Sequence, residues 1–142
     1  LECMATTERT WEVDPLALKA ACELLDVKAP VEVKRTGQVR TGGKHGFRDG
    51  KHVLKISTYA TDHGASVFLW HELAHASQQE RLGVDRKKWL EVYWASVKRY
   101  GYKNSPFEVE ARAASEFAED HPLVRRAGSV RLKSDSPAWW SS

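Results

Sequence analysis

Trp70-His71-Glu72-Leu73-Ala74-His75-Ala76 constrains the chain more than any other stretch. On a helix, His71 and His75 lie about 40° apart around the axis and roughly 6 Å apart along it. Both imidazoles can therefore converge on one metal ion, and Glu72 can reach a metal-bound water as general base. With six histidines in 142 residues, chance alone gives about 0.02 H-E-x-x-H matches. Val67, Phe68, Leu69, Leu73, Ala74 and Ala76 make the surrounding helix apolar almost all round. A buried helix has to account for two histidines, because burying polar groups without partners is costly.

A catalytic zinc site needs a third protein ligand and an open position for water. No third histidine follows His75 at short spacing; the next is His121, beside Pro122. The metzincin pattern is therefore absent, and a glutamate on a later helix is the alternative. Ser105-Pro106-Phe107-Glu108 predicts a helix start, with Ser105 and Glu108 as a capping box and Pro106 at the first helical position. In the helix expected over 106–119, Phe107, Glu110, Ala111, Ala114, Phe117 and Ala118 share one apolar face. Glu110 is the only charge on that face. Glu108 points away, with the cap and Arg112 as its partners. Glu110 is thus the expected third ligand, the alternative being a buried ion pair with a lysine or arginine.

His71-Glu72-Leu73-Ala74-His75 followed by Pro106-Phe107-Glu108-Val109-Glu110-Ala111 resembles a small HExxH metallopeptidase of the gluzincin-like type. The Glu-x-Glu-Ala element is similar to that of ImmA/IrrE-type peptidases and phage-borne metallopeptidase-like proteins, and the central helix is similar to SprT-like domains. The match covers about 45 residues, from Trp70 to Phe117. It implies a minimal zincin-like domain with Zn2+ held by His71, His75 and Glu110, Glu72 as catalytic base, and a protein or peptide as substrate. The helix-turn-helix domain appended to many ImmA-type proteins has no counterpart here. A donor for the developing oxyanion is also required. Tyr100, Tyr102 and His63 are candidates, with Tyr102 preferred and Tyr100 assigned to the core.

The rest of the chain reads as α+β. Asp14-Pro15 opens a helix over about 15–26, and Val31 to Lys34 alternates as a short strand. His45 to Arg48, the turn Asp49-Gly50 and Lys51 to Ser57 predict a hairpin, with His45 and His52 as surface strand residues. The 51–57 strand leads into the active helix, so its edge is expected to receive an extended peptide. The central helix is expected over 64–82 with Asp62 as a cap, and a third helix over 86–100 behind Asp85. Trp89, Leu90, Tyr93, Trp94, Val97 and Tyr100 trace that third helix's apolar stripe, read as core. The expected architecture is four helices and a small, mostly antiparallel sheet of about three strands, packed against the H-E-x-x-H helix.

Length predicts one folded body over 1–120 and a basic tail over 121–142 that either covers part of it through Trp139 and Trp140 or is partly disordered. Leu1-Glu2-Cys3 precedes the only methionine, Met4, and reads as an appended triplet. Cys22 is then the one native thiol, expected in the core. One thiol, no signal-peptide pattern and no long apolar run predict a cytoplasmic protein, with phage-borne delivery left open. Net charge is +3. Residues 31–60 carry seven basic side chains against Glu32 and Asp49, a local +5. A solvated, lysine-guarded sheet accounts for this. A face for nucleic acid or an acidic partner is the alternative, and with it a second function class: a non-catalytic zinc-stabilised binding module. A peptidase that acts on a DNA-bound protein would combine the two.

Overall fold

Asp49 and Gly50 adopt φ of 54° and 78°, the left-handed pair that a two-residue hairpin turn requires. They join β4 (Gly43–Arg48) to β5 (Lys51–Ser57) in antiparallel register, Arg48 opposite Lys51 and Gly43 opposite Ile56. A computed structural model describes residues 7–8, 11–126 and 131–132. In it β3 (Val31–Thr36) pairs parallel to β5, Val31 opposite His52 and Thr36 opposite Ser57. The sheet order is β3-β5-β4, so β5 is the central strand. This corrects the expectation that β5 offers a free edge to a peptide: both its edges are already paired, and β4 is the edge strand on the site's side.

The alternation along β5 buries His52, Leu54 and Ile56 and turns Lys51, Val53 and Lys55 outward. The inner face meets α2 (Asp62–Glu80), where Ala65, Leu69, Trp70 and Leu73 are buried with Leu54 and Ile56 in one cluster. Helix α2 carries the H-E-x-x-H motif and starts at Thr61, whose hydroxyl accepts from Gly64 N at 3.0 Å. Asp62, the expected cap, occupies the first turn instead. Helix α1 (Pro15–Leu24) is capped by Asp14, and α3 (Arg86–Tyr100) by Asp85. Helix α4 (Pro106–Ser115) gives way to a 3₁₀ turn at Glu116–Ala118. Four helices and small sheets make an α+β fold.

The expected boundary at 120/121 falls inside the folded body. Leu123 and Val124 are buried, and β6 (Val124–Arg126) pairs antiparallel with β2 (Trp11–Val13). Ser66 on α2 fixes this crossing: its hydroxyl accepts from Leu123 N at 3.0 Å and Val124 N at 2.9 Å. Trp11 packs against the core, with the Arg35 guanidinium 4.0 Å from its ring centroid. A further two-residue ladder joins β1 (Thr7–Glu8) to β7 (Arg131–Leu132). Trp139 and Trp140 lie outside the described residues. No helix among the described residues is long and apolar enough to cross a membrane.

Candidate metal centre and active-site cleft

Four alanines set the geometry. Ala74 of α2 packs against Ala111 and Ala114 of α4, and Ala118 is buried in the turn beyond. Side chains this small let the two helices approach closely. Glu108 stands one turn before Ala111, so it falls on the packed face and is 1% exposed. Its carboxylate reaches both histidines of α2: His71 Nε2 lies 2.9 Å from Oε1 and His75 Nε2 3.2 Å from Oε2. One donor atom from each of His71, His75 and Glu108 lies within 4.8 Å of the others.

The two glutamates of α4 are therefore placed against expectation, Glu108 facing the histidines and Glu110 not. Glu110 sits away from the histidines, its side chain 49% exposed, and pairs with Arg81. The expected face followed the bulk of Phe107 and Phe117, but Phe117 is itself 44% exposed and lies at the flank against Trp70. The alanines, not the phenylalanines, mark the contact. The expected capping box is also absent. Ser105 makes no side-chain cap bond; its hydroxyl lies 2.8 Å from that of Ser96, which leaves Glu108 free to face inward.

A directed hydrogen-bond network fixes the tautomer of His75. Gln78 Nε2 donates to Phe107 O at 2.9 Å and to Glu110 Oε1 at 2.8 Å, both of which only accept. Gln78 Oε1 therefore faces His75 Nδ1 at 2.8 Å, and Nδ1 must carry a proton. The His75 Nε2 lone pair is left aimed at a carboxylate. That arrangement needs a cation between the two, either a proton or a metal ion. Two imidazoles, that of His75 with its outer nitrogen anchored by Gln78, plus one carboxylate form the donor set of an open zinc site, so these residues fit such an ion. Glu110 retains an indirect part in holding Gln78.

Tyr93 was read as core, but its ring edge faces His75 at 5.7 Å and its hydroxyl donates to Glu108 Oε2. Its place in the aromatic stripe concealed this; the signal was that a buried tyrosine hydroxyl needs a partner. Burial opposes ionisation of Glu108, yet the bonds from His71, His75 and Tyr93 outweigh it and hold its pKa far below the usual carboxylate range. Burial also opposes charge on His75, but its bond to Glu108 and the charges of Glu72 and Glu108 prevail and raise its pKa. Burial raises the pKa of Glu72, with His75 and His71 pulling the other way.

Glu72 is 7% exposed and lines a cleft of about 320 Å³ together with His75, Glu108, Tyr93 and Tyr102. Its stem lies under Gly43 of β4. A Cβ at Gly43 would sit 2.9 Å from Ile56 Cδ1 and 3.1 Å from Glu72 Cγ, so any larger residue must displace these side chains for the edge strand to lie this close to Glu72. Trp89, Leu90 and Trp94 of α3 form the opposite wall. Tyr102 is on the rim, 60% exposed. Partial burial and the charges of Glu108 and Glu72 raise its pKa and keep its hydroxyl a donor at neutral pH. Tyr100 is 48% exposed rather than core, and neither it nor His63 lines the cleft.

His45 and His52 are not surface residues either. His52 is fully buried, and the two form a one-way chain behind the cleft. Arg86 only donates, so His45 Nδ1, 3.0 Å from Arg86 Nη1, must accept. His45 Nε2 then donates to His52 Nδ1 at 2.9 Å, and His52 Nε2 to Glu80 Oε2 at 2.8 Å. Glu80 ends the chain by accepting from Lys28 N and Ala29 N. Both imidazoles are held neutral: burial lowers their pKa values, and Arg86 adds to the fall at His45. No family model, curated protein or solved structure matches this chain.

Proposed function

We propose that this chain is a zinc-dependent peptidase of the gluzincin-like type, with Zn2+ held by His71, His75 and Glu108. The observation that carries the reading is the convergence of both Nε2 atoms and one buried carboxylate beside Glu72 at the floor of a cleft. A zinc ion there supplies Lewis acidity toward a carbonyl and acidifies a water molecule.

Glu72 does the proton work. Its raised pKa brings its carboxylate nearer to neutral pH, where a general base is most effective. It takes the proton of the attacking water and delivers it to the leaving amide nitrogen. Tyr93 holds the Glu108 carboxylate and Gln78 holds His75 Nδ1, so both ligands are fixed before substrate arrives. Tyr102 offers a hydroxyl to the carbonyl oxygen from the rim. The edge strand β4, whose Gly43, Lys44 and His45 line the cleft, seats the extended backbone of the substrate. The walls of Trp89 and Trp94 take an apolar side chain. A cytoplasmic setting fits the unpaired Cys22 thiol.

A purely structural zinc site has no use for Glu72, because a group that binds no metal gains nothing from sitting buried beside two ligands. The test is metal analysis of the purified protein with a proteolysis assay on a panel of unfolded proteins. Glu72→Gln is expected to keep about one zinc per chain and to lose hydrolysis by roughly 10²–10⁴-fold. Equal cleavage by the two proteins sinks the assignment of the base. Absence of zinc from the wild type sinks the metal centre.

A further inference from the structure

The outward face of the three-stranded sheet points to a second binding site, which does not depend on the peptidase reading. Register places Lys34, Lys55 and Lys44 directly opposite one another across β3, β5 and β4. Adjacent strands are about 4.8 Å apart, so three like charges stand within roughly 10 Å. Opposed like charges destabilise a sheet. Lysines that guard edges explain Lys34 and Lys44, but not Lys55 on the central strand. Four residues along on the same face, Lys51 and Arg48 form a second basic row. Between the rows lie Gly46, Val53 and, opposite Val53, Glu32; the small size of the first two leaves a trough of about 500 Å³.

Glu32 offsets only part of this charge. It binds Lys51 Nζ at 2.6 Å and Lys34 Nζ at 3.2 Å. Among the described residues, no carboxylate pairs with Lys44, Lys55 or Arg48. Asp49, at the hairpin tip, is the other acidic residue on the rim. The lining has no Asn, Gln, Ser or Thr side chain, so its donors are chiefly Arg48 and the lysines, cations that suit phosphates.

We infer that this trough binds the phosphodiester backbone of a nucleic acid, without regard to base sequence. A linear polyanion satisfies both basic rows at once and accounts for the one lysine that edge protection leaves unexplained. Backbone binding of this kind is electrostatic and falls steeply with salt.

The experiment is fluorescence anisotropy of the full chain with a labelled DNA duplex and its sequence-scrambled counterpart, from about 50 to 200 mM salt. The expected result is the same affinity for both duplexes, with Kd of roughly 10⁻⁴–10⁻⁶ M at physiological salt. The log–log slope should be near −2.7 if Lys44, Lys55 and Arg48 each neutralise one phosphate. Lys55→Gln and Lys44→Gln should each flatten the slope by about one unit. Lys55→Gln should also leave the melting temperature unchanged or raise it at low salt, because it relieves a like-charge contact. Loss of DNA binding without loss of fold separates a ligand site from a structural role. Affinity and slope unchanged in both variants overturn the proposal. So does tighter binding to phosphatidylserine vesicles than to DNA.

Discussion

Replacing each of the two glutamates of α4 in turn tests the metal centre most sharply. Glu108→Ala removes a carboxylate that is 1% exposed and bonded to His71, His75 and Tyr93. Glu110→Ala removes one whose side chain is 49% exposed and that reaches the site only through Gln78 and His75. Disturbing an outer-shell partner of a metal ligand typically costs about 10–100-fold in affinity. Glu110 is one hydrogen bond further out, so its loss should weaken zinc by about 10-fold or less. Loss of a direct ligand must exceed the outer-shell range, so Glu108→Ala should weaken zinc by more than about 100-fold. At a fixed excess of zinc, a 100-fold loss removes about 2.7 kcal/mol of metal-linked stability. For a domain of this length that is roughly 5–11 °C of melting temperature. The assay is thermal melting of each variant with zinc and with chelator, beside competitive zinc titration. The zinc-dependent rise should nearly vanish in Glu108→Ala and largely persist in Glu110→Ala. The opposite order would refute the reasoning from packing, and a full rise in both would place the third ligand elsewhere.

Other outcomes follow from individual contacts. Tyr93→Phe keeps the ring against His75 but deletes a bond to a charged group, which should cost about 1.5–3 kcal/mol in chelator-treated protein; a melting curve unchanged from wild type would contradict the bond. Ser66→Ala leaves the Leu123 and Val124 amides buried without an acceptor, at roughly 1–3 kcal/mol each in urea unfolding, and a change below 0.5 kcal/mol (about the usual surface effect) would show that they find other partners. Gly43→Ala should push on Glu72 and lower kcat while zinc stoichiometry holds, whereas an unaltered kcat would remove Gly43 from any positioning role. His45 and His52, whose folded pKa values lie below the unfolded value of 6.5, contribute one part of the pH dependence, and His75 and Glu72, whose pKa values are raised, contribute the opposite sign. Below that pH the unfolded chain takes up protons that these two histidines refuse when folded, so their contribution to stability falls with pH, by up to about 1.4 kcal/mol per pH unit for each. From pH 7 to 5 the melting temperature of chelator-treated wild type should therefore fall relative to that of His45→Gln; parallel curves would mean that the chain of imidazoles makes no such contribution.

The sequence by itself determined the local structure. Asp14-Pro15, Asp49-Gly50, Asp85 and Gly101 each impose backbone geometry on their own neighbours, and the elements they bound appear within a few residues of where the pattern places them. It also determined that His71 and His75 share a helix face, because four residues is a distance within one helix. Which glutamate joins them was a question between helices, and hydropathy answered it wrongly. The phenylalanines carry most of the apolar surface of α4, but Ala74, Ala111 and Ala114 permit the closest approach to α2, and that approach decides which side chain can reach. The same holds for Tyr93, Gln78 and the His45–His52 pair, whose partners lie on other elements 15 to 32 residues away or on a neighbouring strand. The row of Lys34, Lys55 and Lys44 was visible in the sequence only as a local excess of charge. Its alignment came from strand order: β3 runs parallel to β5 and β4 antiparallel to it, so three lysines spread over 22 positions of the chain stand side by side.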